Sequence, residues 1–227
     1  MGDGFPGQPG KPSRHEGSFP REVPGNLVRS SLGTDRDALL DFTESPVPAG
    51  ADPWVDGARP GTDLTLTDHD PRWADDYAVL EALVTRALGS MLLRIDHVGS
   101  TAVPDLVAKP IIDVCVIVPD PDDEASYVPA LRASGCVLTV REPWWQRHRM
   151  FRHPEPRANI HVFGPDAVEP ERQRIFRDWL REHPRDRRRY ERAKRGAAEL
   201  GGHVMEYNAR KQQVLREILV RAVNAAG

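Results

Sequence analysis

A chain of 227 residues with 39% hydrophobic side chains is long enough for one core of domain size plus an appendage. Its formal net charge of -3 and pI near 6.2 exclude a global positive field as the means of holding nucleic acid. No apolar stretch approaches the roughly 20 residues of a membrane helix, and the N-terminus lacks the apolar core of a secretory leader, so a cytoplasmic protein with no membrane contact is expected.

Residues 1–67 carry 9 of the 21 prolines and 10 of the 18 glycines. Such a segment buries too little apolar surface to offset its ordering entropy, and it is expected to be mostly disordered, with a helical turn or two over 34–42 (TDRDALLDF). The ordered domain is expected over 68–227. It opens with a helix. Asp70 is a plausible N-cap with Pro71 at the first helical position, and Trp73, Tyr77, Leu80, Val84 and Leu88 recur at helical spacing until Gly89 stops the run. Residues 91–98 and 110–118 have the length and β-branched content of buried strands, and 122–134 read as a helix ended by Gly135. Further strands are expected at 136–141, 147–152 and 159–163.

From Val168 onward the chain reads as helical. Ile175 with Trp179, and Phe176 with Leu180, are pairs four apart on one face; Pro184 begins a second helix, and Val204, Tyr207, Val214, Ile218 and Ala222 mark a third. The fold class is therefore α/β (α+β), a mixed sheet of about four or five strands flanked by helices with a helical C-terminal part. Residues 172–195 hold eleven Lys and Arg against four Asp and Glu. That excess is either a solvated helix face laced with pairs three or four apart, or a wall that faces phosphate.

The chemistry concentrates in IDHVGSTAVPDLVAKPIIDVCVIV, residues 95–118. Gly99 accepts backbone geometry that other residues resist, and Ser100 and Thr101 add hydroxyls to N–H groups exposed at a turn, an arrangement that suits a phosphate. Lys109 opens the following strand and supplies a cation. Asp113, set among Ile111, Ile112, Val114 and Val116, costs several kcal/mol if buried alone, so it must be paired, hydrogen-bonded or bound to a metal. The two cysteines, Cys115 and Cys136, have no metal-like spacing and read as a reduced pair.

In NIHVF (159–163) the alternation puts His161 opposite to Ile160 and Val162, beside Asp113 if the two strands are neighbours. His161 and Asp113 are the candidate metal ligands, with His97 as an accessory. A hydrogen-bonded structural role is the competing reading for each histidine. Arg149 and Arg152 in RHRMFR (147–152) are fork donors to phosphate, or charges that keep a sheet edge soluble. Trp144 and Trp145 either stack on a base or belong to the core.

The Gly-Ser turn followed by Asp113 on a strand resembles the signature of the nucleotidyltransferase superfamily, in which the strand carries Asp-x-Asp or Asp-x-Glu. Here the second acidic position is Cys115, and a thiol is a poor ligand for Mg²⁺. Residues 68–222 as a whole resemble the GrpB family, through DHDPRW (68–73), HVGSTAVP (97–104), AKPIIDV (108–114), HRMFR (148–152), NIHVF and FRDWLREHP (176–184). The resemblance continues through Tyr190 with Lys194 and Tyr207 with Lys211. Asp105 stands where the family has Gly in a VPGL motif, which implies another backbone geometry there.

This resemblance implies a nucleotidyltransferase-like fold with Gly99, Ser100, Lys109 and Asp113 on the active-site side. Some relatives are joined to dephospho-CoA kinase, an association with coenzyme A or ATP metabolism; this chain has no G-x-x-x-x-G-K-[ST] loop. Two functions follow. One is a metal-dependent nucleotidyl- or phosphotransferase. In it Gly99, Ser100, Thr101, Lys109 and Arg149 hold a nucleotide triphosphate or phosphometabolite, Asp113 and Lys109 serve catalysis, and Asp113 with His161 holds Mg²⁺ or Mn²⁺. The other is a non-catalytic nucleotide- or CoA-related binding or regulatory module that keeps the same cradle. A third reading makes Asp113 and the histidines a polar network that orders the core.

Overall fold

The computed structural model describes Met1 and residues 35–43 and 45–225. The disorder expected of residues 2–34 and 44 falls outside the described residues. The first long helix, α2 (Arg72–Leu88), follows a five-residue α1 (Arg36–Leu40). It starts where Asp70 Oδ1 accepts the Arg72 backbone N–H at 2.9 Å, which satisfies one of the free donors of a helix start. It stops at Gly89, whose φ of 51° lets the N–H turn back to the Thr85 carbonyl.

Strands β1 (Arg94–Val98), β2 (Ile112–Ile117), β3 (Val137–Glu142), β4 (His148–Pro154) and β5 (Arg157–Phe163) form one mixed sheet in the order β1-β2-β5-β4-β3. Only β2 and β5 run parallel to each other; the other neighbours are antiparallel. The helix α3 (Glu124–Ala133) lies between β2 and β3 in the chain.

Period-two alternation gives this sheet two different faces. One face presents Ile112, Val114 and Val116 of β2, Ala158, Ile160 and Val162 of β5, Phe151 and Leu138, which pack on Leu80, Val84 and Leu88 of α2 and on Tyr127 and Leu131 of α3. This is the main core, and each fully buried aliphatic side chain in it contributes roughly 1.5–3 kcal/mol. The other face presents Asp113, Cys115 and Ile117 beside Asn159, His161 and Phe163, in the register Asp113 to Asn159 and Cys115 to His161. Its apolar end, with Val98, Cys115, Ile117 and Phe163, forms a second cluster with Trp145 packed against it. Trp145 therefore packs, partly buried, against this cluster.

The C-terminal helices α4 (Glu169–Glu182), α5 (Pro184–Glu199) and α6 (Val204–Ala225) pack around Leu180, Tyr190 and Ile218, together with Val103 and Leu106 from the loop after β1. That shared cluster brings α5 and α6 to the face that carries Asp113. Among the described residues no helix is long and apolar enough to cross a membrane.

Residues 35–43 and 45–67, assigned by composition to the Pro/Gly-rich segment, lie against this domain. Leu39 of α1 is buried with Leu219 and Val223 of α6, and Arg172 donates to the Leu39 carbonyl at 3.0 Å. Val55 donates to the Thr139 carbonyl at 3.1 Å and Arg141 to the Pro53 carbonyl at 2.8 Å, so this stretch borders β3. A few apolar anchors, Leu39, Trp54 and Val55, hold a segment whose average composition hides them. Asp105, in place of the expected glycine, keeps a left-handed φ of 60°, a conformation that Asp tolerates better than most residues.

Candidate functional site

Asp113 lies on the open part of the sheet face, its side chain 33% exposed. Asn159, directly across on β5, donates to Asp113 Oδ1 at 3.0 Å, and His161 Nε2 stands 3.9 Å from the same oxygen. Burial pushes the Asp113 carboxyl up, yet His161, Asn159 and Lys109 outweigh it and hold its pKa below the usual carboxylate value. The Gly-Ser turn closes over this carboxylate. Gly99 has φ of 71°, and a Cβ there would stand 2.3 Å from Asp113 Oδ2, so this position needs glycine for both backbone and space.

Three lysines surround the carboxylate. Lys109 lies 5.2 Å from the centroid of the Tyr207 ring, Lys211 lies 4.9 Å from the same ring and 5.5 Å from that of Tyr190, and Lys194 lies 5.7 Å from the Tyr190 centroid. The result is an alternating row of ammonium, ring, ammonium, ring, ammonium, in which each cation meets an aromatic face. Lys211 also donates to the Tyr190 hydroxyl at 3.1 Å, and Lys194, only 2% exposed, donates to the Val107 carbonyl. All three lysines interact electrostatically with Asp113.

The charges do not cancel. Burial lowers the pKa of Lys194 well below the ordinary lysine value, and the Lys211 and Lys109 ammoniums press it down further against the pull of Asp113. Lys109 is lowered by burial and by Lys211, again against Asp113. Burial works against the Lys211 ammonium too, but Tyr190, Tyr207 and Asp113 outweigh it and hold its pKa above the usual value. Asp63 beside Lys109 and Glu191 beside Lys194 add to the pull of Asp113 without restoring the pKa of either lysine.

Other residues expected at the site are placed elsewhere. Arg149 is 4% exposed and points to the opposite face, where it donates to Glu124 at 2.8 Å and to Asp122 at 2.9 Å beside the start of α3. Its register partner is Val162, a residue of the main core, so alternation separates it from His161. His97 pairs in register with Val114 and likewise faces α2; its ring stacks on Tyr77 at 4.6 Å, and its Nε2 bonds the Thr101 hydroxyl at 3.0 Å. Burial lowers His97 to about 4 against the pull of Asp113, with Arg181 and Arg177 adding to the shift. Thr101 is 4% exposed, so of the two hydroxyls only that of Ser100, half-buried at the start of a 3-10 turn next to Gly99, keeps contact with the surface. Arg152 shares the face of Asn159, but it donates to the Arg59 carbonyl at 3.0 Å and lies 5.8 Å from the Trp54 ring centroid.

The donors for a divalent metal do not make a set. Among the described residues no three His, Cys, Asp or Glu side chains group closely enough to hold an ion. At the position of a second carboxylate stands Cys115, 1% exposed, whose thiol burial pushes far above its ordinary pKa. Asp113 and His161 alone fall short of the oxygen-rich shell that Mg²⁺ takes.

The two lysines from α5 and α6 could not be assigned to this site from spacing. Their only signal was a repeated pattern, Tyr190 with Lys194 and Tyr207 with Lys211, each four apart on its helix. The basic run over 172–195 meanwhile divides. Arg174 pairs with Glu171 and Asp178, Arg181 with Asp178 and Arg195 with Glu191, whereas Lys194 turns inward.

Fold and site together define a mixed α/β domain, a five-stranded sheet with helices on both sides and a helical C-terminal part, whose glycine turn and lysines surround one aspartate. The family model described as GrpB protein matches residues 63–221, and the chain belongs to the GrpB family. It is 42% identical to the UPF0157 protein BH1888 of Halalkalibacterium halodurans, over 70% of this chain and 82% of that one. It is 38% identical to the UPF0157 protein SCO7215 of Streptomyces coelicolor, over 73% and 88%. A dephospho-CoA kinase of Mycolicibacterium paratuberculosis is 29% identical over 70% of this chain and 46% of its own length. Among solved structures, the conserved protein GrpB from Enterococcus faecalis matches with a TM-score of 0.61 at 26% identity, covering 69% of this chain and 98% of that one.

Proposed function

We propose that this chain binds an anionic small molecule, a nucleotide or a phosphometabolite, between the Gly99–Ser100 turn and the helices α5 and α6. The observation that carries this reading is the row of Lys109, Lys211 and Lys194 laid on Tyr207 and Tyr190 near Asp113, with burial lowering the pKa of Lys109 and Lys194. Buried cations cost free energy unless something neutralises them, and a phosphate group would do so for more than one at once. The backbone N–H groups at Ser100 and the Ser100 hydroxyl supply further donors. Tyr190 and Tyr207 are themselves buried, 3% and 1% exposed, so their part is to hold the lysines in place rather than to touch a ligand.

The binding reading fits Cys115 directly, since it needs no second carboxylate. A nucleotidyl- or phosphotransferase would require metal ligands that Asp113 and His161 do not complete. The partial likeness to a dephospho-CoA kinase makes coenzyme A and ATP natural first ligands.

Thermal shift and calorimetry with inorganic phosphate, ATP and coenzyme A, each with and without Mg²⁺ or Mn²⁺, test the proposal. A ligand at 100 times its dissociation constant adds about 2.7 kcal/mol of stability. Binding that vanishes in Lys194→Met and Lys211→Met supports the site. Absence of any shift across the panel, or shifts that survive both substitutions, would overturn it.

A further inference from the structure

His161, beside Asp113, is the inner end of a hydrogen-bonded row that runs across the strands on one face of the sheet to solvent. Glu142 Oε2 lies 2.8 Å from His148 Nδ1, His148 Nε2 lies 3.0 Å from His161 Nδ1, and His161 Nε2 lies 3.9 Å from Asp113 Oδ1. The two imidazoles stack with centroids 5.2 Å apart, and His148 also lies against Phe163 and Trp145. His148 is 4% exposed, so its ring is locked in place.

The row has only one arrangement of protons in which no ring is charged and Glu142 is ionised. An ionised Glu142 is an acceptor only, so His148 must donate from Nδ1. A neutral His148 then has a lone pair on Nε2, which must receive the Nδ1 proton of His161. That leaves His161 Nε2 as the nitrogen that gains or loses a proton, and it faces Asp113. Burial favours the neutral His148 this requires, lowering its pKa to about 4.

We infer that Glu142 and His148 are positioning residues that hold His161 in the Nδ1–H form and make its Nε2 the proton acceptor of the site, connected to solvent through Glu142. A proton released by a bound hydroxyl or a water forms the N–H bond at His161 Nε2. The Nδ1–H bond of His161 breaks as His148 Nε2 takes that proton, His148 Nδ1 passes its own to Glu142, and the carboxylic acid so formed releases it to water. The Glu142 side chain is 25% exposed, which gives this release a path. The groups facing His161 are Asp113 from β2, His148 from β4 and Glu169 from the start of α4, and Glu169 is held above its usual pKa by burial. The inference shares the site of the anion-binding reading and would give that site a base, but the protonation pattern belongs to the free protein.

Nitrogen-15 NMR of the histidine rings in the full ligand-free chain tests it. Neutral His161 is expected in the Nδ1–H form, the minor form of a free imidazole, with His148 in the same form. In His148→Phe, which keeps a ring against Phe163 and Trp145, His161 is expected to revert to the Nε2–H form. Glu142→Ala is a second route to the same reversion without touching the buried ring. An Nε2–H His161 in the wild type, or an Nδ1–H form that persists in both variants, would overturn the inference. Neither result depends on whether any phosphate binds, so failure of this proposal is distinct from failure of the anion site.

Discussion

Gly99 and the Asp113 carboxylate occupy adjoining space with no room for a methyl group, since a Cβ on Gly99 would stand 2.3 Å from Asp113 Oδ2. Gly99→Ala therefore meets two penalties, a left-handed φ of 71° and a displaced carboxylate. Its expected cost is about 1–3 kcal/mol in a denaturant titration, together with loss of ligand binding. Combining it with Asp113→Ala removes the 2.3 Å contact with Oδ2 but keeps the 2.9 Å approach to the Cβ of residue 113 and the backbone penalty. The double variant should therefore be more stable than the sum of the two single effects allows, a coupling that a double-mutant cycle reads directly. Simple additivity would show that the close approach carries no energy.

Lys194 makes the next expectation. Its folded pKa lies well below the ordinary lysine value of 10.5, so between those two values the unfolded chain holds more protons than the folded one. Stability from this group rises with pH across that window and is lost below it. Lys194→Met should flatten the alkaline rise in a pH series of melts. An anion placed among Lys109, Lys194 and Lys211 restores the charged form, so binding should take up protons at pH values inside the window. Calorimetry in buffers of different ionisation enthalpy measures that uptake. A binding heat independent of buffer would contradict the placement of the ligand.

Strand alternation made half of this site readable before any coordinates. IIDVCVIV sends Asp113, and NIHVF sends Asn159 and His161, to the face opposite their aliphatic neighbours, and parallel pairing of β2 with β5 then brings Asp113 beside Asn159 and near His161. The same rule applied within HRMFR separates Arg149 from His148, and chain proximity to the other basic residues had hidden that. Lys194 and Lys211 were legible as a pattern but not as a place. A helix presents any of its faces with equal ease until tertiary packing chooses one, here through Leu180, Tyr190 and Ile218. The row from Glu142 to His161 depends on a cross-strand neighbour and a strand end, and neither leaves a spacing signal.

Arg149 tests the separation of the two faces. It is 4% exposed, and its guanidinium serves Asp122, Glu124 and the Arg147 carbonyl. Arg149→Met removes one cation from Asp122 and Glu124 and should lower stability by about 1–3 kcal/mol, moderated because Glu124 keeps Arg141 at 2.6 Å, Asp122 keeps Arg147 at 3.8 Å and both reach water. Ligand affinity at the lysine row should not change, since the sheet lies between. An affinity loss as large as that of Lys194→Met would put Arg149 at the ligand.

Acid should weaken the fold before most carboxylates titrate. His97 and His148 are both lowered by burial to about 4, from an ordinary value of 6.5. Between those values the unfolded chain binds the extra protons, so their contribution is complete above pH 6.5 and falls away as the pH drops towards 4. At about 1.4 kcal/mol per unit, the fully buried His148 accounts for a loss on the order of 3 kcal/mol. Carboxyls held below their usual pKa, such as Asp113 and Asp186, keep their charge over most of this range and contribute little to the change. His97→Phe keeps the ring that stacks on Tyr77 and removes one of the two titrations. Urea titrations at pH 7 and pH 4.5 should therefore show a smaller difference for the variant than for the wild type. An equal difference would mean that His97 takes up its proton in the folded chain as readily as in the unfolded one.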